Sequence, residues 1–494
     1  MEDKIHPDAK EPSLLQALFP ILVLIVLLVL NVMFFGDMAT SGANQIALLL
    51  SAAVASVIGI MLKVPMKHML DSMVYSILSA MSAILILLLI GALAGTWMLS
   101  GVIPAMIYYG LQILDPSIFL VASCVVCAVV SLATGSSWGT VATVGIALLG
   151  IGQAMGLHDG LIAGAIISGA YFGDKMSPMS DTTNLAPAMA GTDLFTHIRY
   201  MVWTTVPSML ITLVIFLCIG FFRVPAVSPE KMQQLGDSIH ASFNINILLF
   251  IAPALVIFMI IRKYDAIAAL LAGAVVGGVL AVIFQPDIVA VVAGGEGNYA
   301  QLSYMAVVKA MSTSISIPNE DPVAADLLSA RGMEGMLNTI WLIICAMSFG
   351  GVMESVGLLQ RITQPLVKKA KTTGSLIATT AASSIFINVT AADQYLAIVV
   401  PGRMYASTFK KRGLAPQNLS RTLEDAGTVT SVLIPWNTCG ATQAGVLGVA
   451  TGVYLPFCFF NIISPMMTVL YGYLNIKIAR IPIATEGVPE TINK

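Results

Sequence analysis

The sequence predicts an all-α polytopic membrane protein, with about ten bilayer crossings, two re-entrant hairpins, broken transmembrane helices and two inverted repeats. Composition is the first observation behind this prediction: 57% of the 494 residues are hydrophobic and only 10% are charged, whereas soluble domains carry about 25% charged residues. The second observation is a set of long uncharged runs, each matching or exceeding the roughly 20 apolar residues that a helix needs to cross hydrocarbon. The clearest runs are 12–36, 72–114, 200–222 and 426–476.

Basic residues orient the predicted helices, because cytoplasmic loops of membrane proteins are enriched in Lys and Arg. One arrangement places the basic loops and both chain termini inside, and leaves the long acidic segment 286–333 outside. The basic loops lie at 63–67, 199, 262–263, 368–371, 410–412 and 477–480. The predicted crossings are then near 13–34, 43–62, 72–98, 160–190, 196–222, 244–262, 265–285, 334–358, 422–441 and 445–476.

Two further apolar stretches, 101–150 and 373–402, are interrupted by small polar clusters and are predicted to be re-entrant hairpins. The first hairpin opens outward and the second inward, because simple spans at both places would break the charge pattern. Five crossings in each half then place the second half upside down relative to the first. The predicted organisation is a first inverted repeat over 1–222, an outer connecting loop over 223–243, a second inverted repeat over 244–476 and a cytoplasmic tail over 477–494.

The first polar break is the run GAYFGDKMSPMSDTTNLAP, from Gly169 to Pro187. Unpaired backbone within a membrane is tolerated only where it lines a cavity, and transporters use such breaks near the midplane to bind ions. Lys175 is expected to neutralise one of the two carboxylates in the run, and the alternative is a solvated loop between two helices. Hard oxygen ligands for a small cation are predicted to come from Asp174, Ser177, Asp181, Thr182 and Asn184.

The second half contributes Asp393, within INVTAADQYLAIVV, and Glu424 with Asp425 at the head of a long uncharged run. An ionisable residue inside a membrane costs at least about 2.5 kcal/mol, so a functional role is the default expectation. The alternatives are a structural pair of Asp393 with Arg403, and for Glu424 a charge at a helix N-terminus near the membrane surface. Coordinating or helix-packing roles are both open for Asn388, Thr390 and Asn437.

The three strings GAYFGDKMSPMSDTTNLAP, NVTAADQY and EDAGTVTSVLIPWNT together resemble the NhaC family of sodium/proton antiporters, part of a wider ion-transporter superfamily. The resemblance covers most of the chain. It implies a prokaryotic inner-membrane location, inverted repeats with hairpins, and cation exchange through acidic residues in broken helices. Site residues implied by the matching motifs are Asp174, Ser177, Asp181, Thr182 and Asn184, followed by Asp393, Glu424, Asp425 and Asn437.

The predicted function is exchange of sodium ions for protons across the cytoplasmic membrane, through carboxylates that hold one or the other. The alternative is a sodium- or proton-coupled exchanger of small organic acids, such as malate and lactate, or of amino acids. An organic acid would need a cationic anchor, for which Lys175 is the obvious candidate. An intramembrane aspartyl hydrolase would also use paired carboxylates, but the GxGD motif is absent, so no enzymatic activity is predicted.

Predicted partners are the sodium ion, the proton and the lipid bilayer. The net charge of −2 gives no sign of a nucleic-acid partner. No nucleotide or prosthetic-group motif is found, so no cofactor is predicted. Dimers are common in the superfamily, and a homodimer is therefore an expectation from resemblance alone.

Overall fold

The computed structural model describes residues 10–35, 39, 41–223 and 229–481, and helices dominate it. The first half contains α1 (Leu14–Phe35), α2 (Ala43–Met61), α3 (Met66–Ser79), α4 (Met81–Leu99), α5 (Val102–Ile113), α6 (Pro116–Thr134), α7 (Ser137–Thr140), α8 (Ile146–Ala154), α9 (Asp159–Met176), α10 (Asp181–Ala190) and α11 (Leu194–Arg223). A π-helical turn, Val141–Gly145, joins α7 to α8.

The second half begins with α12 (Pro229–Ser242), α13 (Ile251–Ile261), α14 (Ala266–Phe284), α15 (Pro286–Ala293) and α16 (Tyr299–Ser312). A short antiparallel pair follows, β1 (Ile315–Ser316) with β2 (Ser329–Ala330), and α17 (Pro322–Leu327) lies between its strands. The remaining helices are α18 (Leu337–Ser355), α19 (Leu358–Lys369), α20 (Thr373–Thr390), α21 (Gln394–Lys411), α22 (Pro416–Leu423), α23 (Thr438–Leu447), α24 (Thr451–Tyr454) and α25 (Phe459–Leu474).

The chain is a multi-pass membrane protein. Within the described residues, 8 helices are long and apolar enough to cross a bilayer, or up to 10 if each bent pair is one span. Two of the eight, Pro116–Thr134 and Ser137–Ala154, belong to the stretch predicted as the first hairpin. Large apolar side chains remain exposed on the outer helices, for example Leu15 at 82% on α1 and Phe222 at 85% on α11. Such exposure is unfavourable in water, and in a bilayer it provides the contact with lipid.

The predicted crossing 72–98 comprises the end of α3 and nearly all of α4, because the helix is interrupted at Ala80 between them. The Ser79 hydroxyl donates to the Ser76 carbonyl at 2.6 Å, and such local bonds compete with the regular helix ladder. The stretch 101–150 also contains more than a hairpin, since α5 is a separate helix that precedes it.

Two helix pairs form the predicted hairpins, and each turns at a residue in the left-handed region. In the first hairpin, one arm is α6 and the other is α7 with its continuation α8. The two arms are joined at Gly135, with φ 70°. The second pair is α20 with α21, which meet at Ala392 with φ 57°. Left-handed backbone is easy for glycine and strained for alanine. Both turns fall within the small polar clusters that interrupt the two stretches, TGSSWGT at 134–140 and NVTAADQY at 388–395.

The two hairpins open at opposite ends of α11, a helix of 30 residues and about 45 Å. Near the C-terminal end of α11, Gly220 packs so closely on the Ser117 carbonyl, at the start of the first hairpin, that no side chain would fit. Near the N-terminal end, the Tyr200 hydroxyl donates to Asn418, in the helix that follows the second hairpin. The hairpins therefore enter the protein from opposite sides, as predicted.

Helix α12 covers most of the predicted connecting loop and makes an angle of 89° with the helix that follows. The two together are long and apolar enough to be a broken span or a re-entrant loop. Residues 224–228 of the predicted connecting loop, residues 482–494 of the predicted tail and residues 1–9 lie outside the described residues. The boundaries of the repeats stay predictions.

Candidate functional site

The first polar break separates α9 from α10 over residues 177–180. Pro178 lacks a backbone N–H and cannot extend a helix ladder. Ser180 then serves as the N-cap of α10, and its hydroxyl accepts from the Thr183 N–H at 3.5 Å. Serine is among the preferred N-cap residues. The motif thus ends one half-helix and begins the next.

Asp174 joins this broken helix to the tip of the first hairpin. Its Oδ2 atom accepts hydrogen bonds from the Ser137 backbone N–H at 3.1 Å and from the Ser137 hydroxyl at 2.7 Å. Ser137 is the first residue of α7, so the carboxylate lies at a helix N-terminus, where negative charge is favourable. The Asp174 side chain is only 8% exposed.

Asp393 belongs to the tip of the second hairpin, where it is the N-cap of α21. Its Oδ1 atom accepts from the Leu396 N–H at 2.8 Å, and the residue is 5% exposed. Arg403, the partner in the alternative interpretation, is exposed and lies about 15 Å further along α21. The geometry therefore favours a capping carboxylate at the tip over a structural pair with Arg403.

A single cavity of about 870 Å³ lies between the first break and the two hairpin tips. Both tips contribute to its wall, as do Thr438 and Cys439 at the start of α23 and the loop at Lys263 and Tyr264. Lys263 and Tyr264 are exposed, as is Asp181, so the cavity reaches solvent on that side. The predicted site residues that line it are Asp174, Asp181, Thr182, Asn184 and Asp393.

Lys175 does not neutralise Asp174 or Asp181, as was expected, but forms an ion pair with Asp425. Adjacent residues on a helix project about 100° apart. Asp174 therefore faces the first hairpin while Lys175 faces the second half of the chain. Both members of the pair are fully buried, and the Ser464 hydroxyl lies 3.1 Å from Lys175 Nζ and from Asp425 Oδ1.

Glu424 and Asp425 begin a π-helical turn, Glu424–Thr428, that continues α22. Both are fully buried, which contradicts the alternative of a surface charge at a helix N-terminus. The Thr182 hydroxyl donates to Glu424 Oε1 at 3.0 Å. Because Thr182 also lines the cavity, this hydroxyl connects the cavity with the buried group formed by Lys175, Glu424 and Asp425.

Asn388 and Asn437 hold the second hairpin tip against the second broken helix, in which residues 434–437 separate α23 from the helical turns that follow α22. Asn437 Nδ2 donates to the backbone oxygen and to Oδ1 of Asn388, both at 3.1 Å. Asn437 Oδ1 caps α23 through the Cys439 N–H at 3.0 Å, and Asn388 Nδ2 donates to the Gly427 carbonyl at 2.6 Å. Neither amide lines the cavity, and the hydrogen bonds of both connect the tip with the segments around it.

Thr390 and Ser177 also lie away from the cavity wall. The Thr390 hydroxyl donates to the Phe386 carbonyl within α20 at 2.8 Å. The Ser177 hydroxyl accepts from the Met179 N–H at 3.3 Å, which shapes the break itself. Asn184 lines the cavity, but its Nδ2 donates to the Pro178 and Ser180 carbonyls at 3.0 and 2.7 Å. These polar groups organise the backbone around the site.

Several cavity residues were not predicted. Ser137 and Trp138 lie within the string TGSSWGT, which marks the first hairpin tip, so the motif held a signal for them. Tyr395 follows the second tip in the same way. Lys263 and Tyr264 come from a loop between two apolar helices, and no local feature of that loop indicates a site.

Known proteins resemble this chain over most of its length. Residues 169–476 match the family model described as the Na⁺/H⁺ antiporter family. The chain is 38% identical over 436 residues to the Na⁺/H⁺ antiporter NhaC of Alkalihalophilus pseudofirmus, which covers 88% of this chain and 91% of the relative.

Two other relatives have names that describe organic substrates. The malate-2H⁺/Na⁺-lactate antiporter of Bacillus subtilis is 34% identical over 468 residues, which cover 94% of this chain and 96% of the relative. The arginine/ornithine antiporter ArcD of Halobacterium salinarum is 32% identical over 472 residues, which cover 95% and 93%. The family match and these extents of identity confirm the resemblance seen in the motifs. This chain belongs to the Na⁺/H⁺ antiporter family, the family of NhaC.

Proposed function

We propose that this protein exchanges sodium ions for protons across the cytoplasmic membrane, and that the cavity holds the sodium ion. One observation carries the proposal: Asp174 from the first broken helix and Asp393 from the second hairpin tip line the same cavity. The hydroxyl-bearing residues Ser137, Ser180 and Thr182 also line it, and oxygen atoms are the ligands that hard cations prefer.

Exchange follows when a carboxylate binds either a sodium ion or a proton. Burial disfavours the charged form of an acid, and a neighbouring cation favours it, so the two ligands compete for the same group. Asp174 is well placed for this role, because its carboxylate is bonded to the first hairpin through Ser137. A change of its ligand therefore acts directly on the contact between the hairpin and the broken helix.

The buried group formed by Lys175, Glu424 and Asp425 is proposed to act in gating or proton sensing. It joins the two broken helices across 250 positions of the sequence. Thr182 relays the state of the cavity to Glu424 through one hydrogen bond. Moving this group into water would require the two halves to separate, since no part of it is exposed.

The proposal includes a topology with both termini cytoplasmic in the inner membrane. Lys263 at the rim of the cavity belongs to the set of basic loops that are placed inside by their charge. The cavity then opens toward the cytoplasm. Accessibility of single cysteines, introduced at position 263 and in the acidic segment 286–333, to an impermeant reagent tests this orientation. A homodimer is also proposed, and light scattering of the purified protein tests it.

Substitution of the cavity carboxylates tests the proposed exchange. Sodium-driven proton movement, read by a pH dye inside proteoliposomes, is expected to fall about tenfold or more in Asp174→Asn and Asp393→Asn, because an amide is a weaker cation ligand and takes up no proton. Asp181→Asn should have a smaller effect, since Asp181 is exposed. Glu296→Gln, an exposed change in the outer segment, serves as the control. Full activity in all three aspartate variants would overturn the assignment.

Exchange of small organic acids remains the alternative, favoured by a cavity much larger than one ion. Two observations weigh against it. Lys175, the expected anchor for an organic anion, is paired with Asp425 and does not line the cavity. The wall has Asp174, Asp181 and Asp393 against Lys263. Uptake of labelled malate and lactate into proteoliposomes, with and without sodium, separates the two functions.

A further inference from the structure

A second cavity, of about 660 Å³, is a groove between α1 and α2, apart from the candidate site. Among the described residues, Gln16 is the one polar residue in its wall, and the Gln16 side-chain oxygen already accepts from the Ser13 N–H at 2.9 Å. The other wall residues are apolar: Leu15, Phe19, Leu50, Ala53, Val54, Val57, Ile58 and Met61. The groove is therefore lined almost entirely by hydrocarbon.

The groove begins at the membrane surface and reaches about half-way through the hydrocarbon core. It starts at Leu15, the second residue of α1, and at Met61, the last residue of α2. Helix α2 has 19 residues, so its end lies near the edge of a core that is about 30 Å thick. From Met61 back to Leu50 the groove follows α2 over about 17 Å. Because unfilled space forfeits dispersion contacts, an acyl chain from one leaflet is a fitting occupant.

Three exposed lysines lie at the surface end of this groove. Lys63 follows Met61 by two residues, and Lys67 is in the first turn of α3. The backbone N–H of Lys10 donates to the Leu62 carbonyl at 2.9 Å, which brings the segment before α1 to the same place. None of the three lysines has an ion-pair partner in the part of the chain that the structure describes.

The positive charge of these lysines indicates the headgroup of the lipid. Glu11 is the nearest acidic residue in sequence to the mouth of the groove, and Asp71 lies a further turn along α3. Lysines near a membrane surface attract anionic lipids, and their long side chains reach the level of the headgroups. A zwitterionic lipid would gain less, because its own cationic group opposes the lysines.

We propose that one anionic phospholipid occupies the groove between α1 and α2, with an acyl chain along the apolar wall and its phosphate at Lys10, Lys63 and Lys67. Other occupants fit less well. The first nine residues of the chain, MEDKIHPDA, are too polar to fill the groove. A symmetric dimer through this face would bring two identical lysine clusters to the same depth of one interface, where they would repel each other.

A comparison of two lipids that differ only in headgroup tests the site. The full-length protein, purified in an uncharged detergent and stripped of lipid, is titrated with dioleoylphosphatidylglycerol or with dioleoylphosphatidylcholine. Native mass spectrometry then gives the affinity for the first bound lipid. Phosphatidylglycerol is expected to bind more tightly, by about fivefold for each lysine at the mouth or about 100-fold in total.

Substitution of the lysines tests the headgroup contact. The double variant Lys63→Gln with Lys67→Gln removes two charges and is expected to lose about 25-fold of this preference, with binding of phosphatidylcholine unchanged. The double variant Lys410→Gln with Lys411→Gln removes two exposed lysines from another basic loop and serves as the matched control. An equal loss in both double variants would overturn the site, because lysines at any place on the surface would then suffice.

A bulky side chain in the groove tests the acyl-chain contact. Ala53→Phe is expected to weaken the first binding of both lipids, because the ring takes the place of the chain. Ala254→Phe makes the same exchange at an exposed position of α13, outside the groove, and should leave binding unchanged. If Ala53→Phe instead dissociates a dimer and leaves binding of phosphatidylglycerol intact, a second copy of the chain covers the groove and the lipid site is wrong.

Equal affinity of the unmodified protein for the two lipids would also overturn the proposal. Lipid binding is measured without transport, so its outcome is independent of the proposed exchange. Absence of sodium-driven proton movement would leave the lipid site standing, and absence of a lipid preference would leave sodium exchange standing.

Discussion

Two sets of carboxylates lie close together in this protein and differ in what surrounds them. Asp174, Asp181 and Asp393 line a cavity that reaches solvent, and Asp174 and Asp393 accept hydrogen bonds at the hairpin tips. Glu424 and Asp425 are fully buried beside Lys175. Under the proposed function, the first set is open to ions from the cavity. The second set has no exposed atom, so it suits control of the exchange better than the binding of its ions.

Of the substitutions that test this comparison, removal of Lys175 is expected to have the largest effect, a loss of stability. Lys175→Met leaves Asp425 buried without its countercharge, which costs about 3–5 kcal/mol. Thermal unfolding in detergent should show a large loss of stability, and the double variant with Asp425→Asn should recover part of it. Lys263→Met, at the exposed rim of the cavity, is the matched control and should change stability little. Equal stability of both lysine variants would show that the buried pair is not structurally important.

The hydroxyl of Thr182 connects the two sets, and its removal tests that connection. Thr182→Val keeps the shape of the side chain but takes one donor from the buried Glu424, at a cost of about 1–3 kcal/mol. The pH profile of sodium-driven proton movement is expected to shift, because the protonation of Glu424 is no longer coupled to the cavity. Thr390→Val, whose hydroxyl bonds only within α20, should leave the profile in place. Identical profiles would contradict a relay through Thr182.

Gly135→Ala perturbs only the surroundings of the carboxylates that line the cavity, and its effect on exchange is expected to be the smallest. The residue has φ 70°, and an added Cβ would lie 2.7 Å from the Cβ of Met179 in the opposite wall. Left-handed strain costs about 1–2 kcal/mol, and the contact would push the tip away from Asp174. Gly191→Ala has the same kind of backbone, φ 81°, with no neighbour within 4 Å. Exchange should fall only in Gly135→Ala. An equal loss in both variants would show that the position of the first hairpin tip is not the cause.

Local features of the sequence were enough to predict much of the architecture. The hairpins and the first broken helix leave polar strings in apolar runs, because a chain that interrupts its hydrogen bonds in lipid needs polar groups beside it. The charges of the loops predicted that the two hairpins would open in opposite directions. Membership in the family was visible in three motifs.

Contacts between distant segments could not be predicted in the same way. Lys175 was expected to serve the carboxylates nearest in sequence, yet its partner Asp425 comes from the other half of the chain. The direction of a side chain on a helix depends on its angular position, so adjacency in sequence was misleading. Tyr264 and Lys263 reach the cavity from a scaffold loop whose own sequence is ordinary. The interruption at Ala80 likewise follows two serines, Ser76 and Ser79, and no stronger signal in the sequence.

The length of α11 has a consequence for the surrounding lipid. Its 30 residues correspond to about 45 Å, which equals the whole thickness of a typical bilayer with both headgroup layers and exceeds the hydrocarbon core of about 30 Å. A thinner membrane would force this helix to tilt further or would become locally thicker around it. Because the open ends of both hairpins are fastened near the two ends of α11, such hydrophobic mismatch would be transmitted to the walls of the cavity.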